Sequence, residues 1–202
     1  MALYIFGMRH AQKEGDALTD FGREQCEAVA QTHLKSLSIV EVITSGAERT
    51  AQTAQVCMQE LGVDWPIRAD LRLGIEDLDQ KALMSAYQEA SVTIKAQAEK
   101  QSRLIMVADW LRHWELARKL QARLREAFTD IARSWANEAQ DQGKEVHVLT
   151  VSHGPLIELL VDSPEHYSPI NEGDIVVYQV TSVGSGECRI TDADFLPCPL
   201  RA

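Results

Sequence analysis

The chain predicts an α/β fold: a three-layer sandwich with a mostly parallel central sheet, helices on both faces and a helical insertion. Three observations predict it. Short, continuous apolar runs recur along the chain, as strands buried on both faces do. Between them lie segments with apolar residues at three- and four-residue steps, the period of helices packed on a sheet. Three of the apolar runs also end in polar, chemistry-bearing residues, as strands do at the ligand-binding edge of such a sheet.

Leu3 to Met8 reads as the first strand, apolar until it meets a polar loop. Thr19 or Asp20 then caps a helix with apolar positions at Cys26, Val29, Ala30 and Leu34. Ile39 to Thr44 is a second strand, and Ser45-Gly46-Ala47 leads into a helix from about Glu48 to Leu61 that stops at Gly62. Asp64 to Leu73, marked by Pro66, reads as irregular. From about 78 to 142 the pattern is helical. Leu83, Tyr87 and Ile94 suggest a shorter helix; Trp110 or Leu111, Trp114, Ala117, Leu120, Leu124, Ala127 or Phe128, Ile131 and Trp135 form one longer stripe ending near Gly143. The tryptophans read as core anchors. Val146 to Val151 is a strand rich in β-branched residues, breaking at Ser152-His153-Gly154-Pro155 into a helix over about Leu156 to Val161. Asp174 to Thr181 and Glu187 to Phe195 are the last two strands.

At 202 residues, 45% hydrophobic and 25% charged, the chain suits one soluble globular domain with a full core. Its 20 Lys+Arg against 30 Asp+Glu give a net charge of -10. That balance argues against nucleic acid, whose binding needs clustered cations, and against an anionic membrane surface. It also makes a small phosphoester an easier ligand than a polyphosphate. The N-terminus lacks a basic n-region and reaches Arg9 too soon for a signal peptide. No apolar run approaches the roughly 20 residues of a spanning helix. Cys26, Cys57, Cys188 and Cys198 form no CxxC pair and read as reduced core thiols of a cytoplasmic protein, a Cys188–Cys198 disulfide being the lesser option.

The chemistry sits at three strand ends. Arg9-His10 follows the first strand, Ser45 to Arg49 the second, and Ser152-His153-Gly154 the strand from Val146. An arginine can hold phosphate oxygens while a neutral imidazole nitrogen attacks phosphorus. Arg49 falls in the first turn of its helix, where free N–H groups and the helix dipole favour an anion. Gly154 permits close backbone approach, and Pro155 suits a first helical turn. His33, His113 and His166 read as surface or core histidines, His147 as part of a strand, and Gln12 and Lys13 as solvated loop residues.

Four ordered segments carry a resemblance. Arg9-His10-Ala11 is similar to an Arg-His-Gly motif, departing from it at Ala11, and Leu18 to Cys26 to a Leu-Thr-x-x-Gly-x-x-Gln-Ala helix start. Ser45 to Ala54 is similar to a Ser-x-x-x-Arg-x-x-Gln-Thr-Ala segment, and Ser152-His153-Gly154 to a second histidine motif. Together they resemble the histidine phosphatase superfamily, in its phosphoglycerate-mutase-like, Arg-His-Gly branch. The resemblance covers residues 3–54 and 146–160; between them it is matched only by helical character.

The resemblance implies a single phosphoglycerate-mutase-like domain over 1–202 with a helical insertion at about 78–142. It implies that His10 is a nucleophile forming phosphohistidine, that Arg9, Arg49 and His153 bind the phosphoryl group, and that no metal or cofactor is needed. It also implies a general acid some two dozen residues beyond Arg49. Glu76 occupies that region with Asp77 and Asp79 as rivals, and some small family members use no acid there. Ala11 adds a methyl beside the nucleophile. The function expected is a metal-independent phosphatase acting on a phosphorylated small molecule or phosphoprotein. The alternative is a noncatalytic phosphate-binding or protein-interaction module. A phosphomutase is disfavoured: the loop from Gln12 to Leu18 is short, and no extra basic cluster could hold a second phosphate.

Overall fold

The main sheet has the spatial order β5 (Ile67–Ala69), β4 (Ile39–Thr44), β6 (Val146–Ser152), β1 (Leu3–Arg9), β7 (Ile175–Val183) and β8 (Glu187–Leu196). A two-stranded hairpin of β2 (Lys13–Glu14) and β3 (Ala17–Leu18) stands apart from it. The computed structural model describes residues 2–142, 145–161, 170–183 and 187–201, without the side chains of 136–142, 182–183, 187–188 and 192–193. Strands β5, β4, β6 and β1 are parallel, while β7 and β8 add an antiparallel margin.

Strand alternation divides the core into two layers. Leu3, Ile5, Val146, Val148, Val176 and Tyr178 pack in one cluster with helices α3 (Gln80–Lys100), α4 (Val107–His113) and α5 (Glu115–Gln142). Phe6, Met8, Val42, Leu149, Val151, Ile175 and Val177 pack in the other with α1 (Asp20–Val29) and α2 (Glu48–Leu61). Burying each such side chain contributes about 1.5–3 kcal/mol, so the sheet is a rigid base for whatever its loops carry. Thr19 caps α1 through its hydroxyl, and Gly62 ends α2 in the left-handed region at φ 64°. Cys26, Cys57 and Cys198 are free, buried thiols, which removes the Cys188–Cys198 disulfide.

The structure corrects several local expectations. Ile67–Ala69, expected to be irregular, is a parallel edge strand on β4, and Val42 N–H also bonds the Pro66 carbonyl at 2.8 Å. The single long helical stripe is two helices broken at Trp114, whose backbone is extended at φ -126°, ψ 101°. Tyr87, Trp110 and Trp114 form an aromatic cluster there, with ring centroids 5.1 to 5.7 Å apart. The helix expected over about 156–161 is one 3-10 turn, Ile157–Leu160. Past Val29, α1 widens into a π-helical turn, Ala30–Leu34. Gly143 and His166 lie outside the described residues. Among the described residues no helix is long and apolar enough to cross a membrane.

Strands β4, β6 and β1 are parallel neighbours, so their carboxyl ends emerge side by side. Backbone bonds stitch the exits together: His10 N–H donates to the Ser152 carbonyl at 2.9 Å and Ser45 N–H to the Val151 carbonyl at 3.1 Å.

Candidate functional site

The loop after β1 is set from outside by residues of α1 and α2. Gln12 N–H donates to Gln25 Oε1 at 2.9 Å, Leu18 N–H to Gln52 Oε1 at 2.9 Å, and Ala11 N–H to Thr53 Oγ1 at 3.2 Å. Gly22 lets α1 lie against the loop: a Cβ there would stand 2.1 Å from the Gln12 carbonyl oxygen. The Gln, Thr and Gly positions of the sequence motifs are therefore braces for the segment carrying His10. Gln12 belongs to that brace, and exposed Lys13 bonds the Gly15 carbonyl at 2.8 Å. Ala11 is fully buried in the layer of α1 and α2, so its methyl belongs to the core and not to the phosphate side.

His10 is 6% exposed. Its Nδ1–H donates to the Ala11 carbonyl at 2.9 Å, which fixes the tautomer and leaves Nε2 as the lone-pair nitrogen. Burial, with the charges of His153, Arg49 and Arg9, pushes its pKa down to about 4. His10 is thus an uncharged imidazole near neutral pH. The His153 ring lies 5.2 Å away, centroid to centroid, at 63°.

His153 is equally buried and has both nitrogens engaged. Arg49 Nη2 donates to Nδ1 at 3.2 Å, while Nε2 faces Ser45 Oγ at 2.9 Å and Glu76 Oε1 at 3.2 Å. Burial lowers its pKa against the pull of Glu76. Ser45 Oγ also meets Thr50 Oγ1 at 3.1 Å, whose hydroxyl donates to the Ala47 carbonyl at 2.7 Å. Ser45 was legible only as a motif position; its work is to orient His153.

The two arginines arrive from different sides. Arg9 donates through Nη1 to the Ile170 carbonyl and lies 3.9 Å from Glu172. A Cβ at Gly154 would come within 3.1 Å of its guanidinium, so the expected close approach is to Arg9. Arg49 bonds Asp16 at 3.2 Å and Glu76 at 3.0 Å. The Nε–H groups of both arginines are buried without an acceptor among the described residues. Buried donors rarely stay unpaired, and two in one cationic cluster call for an anion's oxygens.

Glu76 is the acid drawn into this cluster. Its Oε2 accepts the Ile75 N–H at 2.9 Å while Oε1 reaches Arg49 and His153. Burial opposes its ionisation, but the contacts with His153 and the Glu76 and Ile75 backbone N–H groups win, bringing its pKa down to about 2. The rivals are engaged elsewhere. Asp77 pairs with Arg123 at 2.7 Å, and Asp79 caps α3 through the N–H groups of Lys81 and Ala82. Ser152 Oγ bonds the Leu73 carbonyl, tying the Glu76 loop to the end of β6.

Other histidines stand apart. His147 sits in β6 against the rings of Tyr4 and Phe6, His33 reaches the Pro197 carbonyl at 2.9 Å, and His113 is exposed at the end of α4. Among the described residues no three His, Cys, Asp or Glu side chains gather as a metal-holding group.

Glu158, 4% exposed in the 3-10 turn, borders the site. Its Oε1 accepts the Ile170 N–H at 2.9 Å, Oε2 is buried without a partner among the described residues, and burial raises its pKa from 4.5 to about 7. Arg9 pulls that value down and Asp174 pushes it up. A raised folded pKa gives stability that is fullest below pH 4.5 and is lost as pH climbs through 7. Glu158→Gln should therefore gain about 2.5 kcal/mol on wild type between pH 5 and pH 8, at ~1.4 kcal/mol per unit. Urea melts at the two pH values measure it; an unchanged difference would mean that Glu158 ionises freely.

A neutral histidine, a second histidine and two arginines at the carboxyl edge of a mixed sheet define the class of phosphoglycerate-mutase-like α/β proteins. The chain belongs to the Histidine phosphatase superfamily (branch 1), whose profile matches residues 7–185. Among solved structures it is similar to "Mycobacterial hydrolase 2" (TM-score 0.70, 17% identity), covering 100% of this chain and 93% of that one. It is also similar to a phosphoglycerate mutase from Bacillus anthracis (TM-score 0.61, 18% identity, 95% and 92% covered). A third is the protein histidine phosphatase SixA, complexed with tungstate (TM-score 0.52, 15% identity, 96% of each covered). At these identities the likeness is one of fold. No curated protein is a significant match.

Proposed function

We propose that the protein is a metal-independent phosphatase that hydrolyses a phosphomonoester through a phosphohistidine at His10. One observation carries the reading: an uncharged His10 with Nε2 free of any partner among the described residues, in a cluster where Arg9 and Arg49 hold unpaired Nε–H donors. The phosphoryl oxygens take those donors and the ring N–H of His153. Nε2 then attacks phosphorus in line as the ester P–O bond breaks. The positive groups stabilise the equatorial oxygens at their place of greatest charge, which supplies the electrophilic part of the reaction.

Glu76 is the proposed proton donor to the leaving oxygen. In the free protein it is a carboxylate, lent to Arg49 and His153. A bound phosphate dianion takes over those partners and sets like charge beside it, and both changes push its pKa upward. The proton it acquires goes to the leaving alkoxide. The resulting carboxylate then removes a proton from the water that cleaves the N–P bond, returning His10 neutral and releasing phosphate. The free, buried thiols of Cys26, Cys57 and Cys198 suit a reducing, cytoplasmic setting.

The test is direct trapping. Protein mixed with an aryl phosphate, quenched in alkaline denaturant and digested, should give a phosphorylated peptide containing His10 by mass spectrometry. Phosphate binding with neither turnover nor a labelled peptide would make it the noncatalytic phosphate-binding module.

A further inference from the structure

The cluster of His10, Arg9 and Arg49 accounts for the phosphoryl group and says nothing of what the phosphate is attached to. Next to it, sharing His153, lies a cavity of about 230 Å³. Its walls are Leu83 and Tyr87 from α3, Trp114 at the helix break, Leu120 from α5, and Leu156 after the second histidine motif. Apart from His153, no ionisable group other than the Tyr87 phenol lines it among the described residues. The wall is stiff: Tyr87 stacks on Trp110 at 5.1 Å and 11°, and Trp114 packs edge-on to both rings.

We infer that this cavity is the leaving-group pocket, and that the substrate is a phosphomonoester of a compact apolar alcohol about the size of one aromatic ring. The inference rests on the phosphatase reading. Volume sets the upper bound: a dry cavity of ~150 Å³ holds a benzene ring, and drug-sized ligands need roughly 300 Å³ or more. The cavity admits one aromatic ring with a substituent. Charge sets the class. A carboxylated or twice-phosphorylated leaving group would bring an anion into walls whose described residues, His153 apart, offer no cation to meet it, and burying an unpaired charge is strongly unfavourable. The helix break at Trp114 also gains a use here, since it seats the indole at the cavity as well as in the core.

Benzyl and ethyl phosphate test this, because both leave as simple alkoxides and differ by the ring alone. Wild-type kcat/KM should favour benzyl phosphate by about tenfold or more, as filling an apolar pocket does. Met84, on the cavity rim and 48% exposed, tolerates a charge without disturbing the core. Met84→Lys should cut the benzyl-to-ethyl ratio at least about fivefold and improve 3-phosphoglycerate relative to benzyl phosphate. Hydrolysis of both esters with a ratio near one overturns the pocket assignment and leaves the phosphatase standing. So does a ring preference that Met84→Lys leaves untouched. Turnover of neither ester above the level of a His10→Ala control overturns the phosphatase reading and this inference with it.

Discussion

Replacing His10 with alanine should remove the proposed phosphatase activity, lowering kcat/KM for an aryl phosphate by about 10⁴-fold or more, as loss of a covalent nucleophile does. The cause is specific to the chemistry, because the ring holds little of the fold together. Its Nδ1–H reaches only the carbonyl of the next residue, whereas the loop is anchored by Gln25, Gln52 and Thr53. The variant should therefore melt close to wild type and still bind phosphate through Arg9, Arg49 and His153. The pH profile adds an independent check. With a pKa of about 4, His10 stays a neutral nucleophile well below the ordinary range of histidine. Once the second ionisation of the substrate, near pH ~6, is divided out, kcat/KM should hold until about pH 4. An enzyme limb at the ordinary histidine pKa would place the reacting imidazole in water and sink this assignment.

The strands and the site were legible to different degrees, for physical reasons. Central strands such as β1 and β6 could be read because runs such as VHVLTV are buried along nearly their whole length and leave a continuous apolar signal. Ile67–Ala69 left none: it has three exposed residues beside a proline and exists only because β4 offers an edge. The break at Trp114 was equally silent. One extended residue between two helices keeps Trp110 and Trp114 four apart, so the stripe reads through it. The side chains proposed to bind phosphate stood out as candidates because Arg9 ends β1, His153 follows β6 and Arg49 lies in the helical turn after β4, and parallel neighbours must bring those ends together. The acid was not. Glu76, Asp77 and Asp79 look interchangeable along the chain. What separates them is Arg123, far away on α5, which takes Asp77, and the start of α3, which takes Asp79. Tertiary partners made that choice.

Glu76→Gln should split substrates by their leaving group. For an alkyl phosphate, whose alkoxide needs a proton, kcat/KM should fall by about 10²–10⁴-fold, the usual contribution of a general acid. For an aryl phosphate with a good leaving group the first step needs no acid, and the loss should be far smaller. Inorganic phosphate should bind the variant more tightly, by about fivefold. The wild-type carboxylate holds Arg49 at 3.0 Å and His153 at 3.2 Å in the free protein, so phosphate must displace it. Breaking a partly exposed pair of this kind is worth about 1 kcal/mol, which sets that factor. A purely positioning Glu76 predicts the reverse pattern. Removing a group that only aligned Arg49 and His153 would weaken phosphate binding and slow both ester classes alike. Tighter phosphate together with a leaving-group-dependent rate loss is an outcome that only a competing carboxylate turned acid can produce.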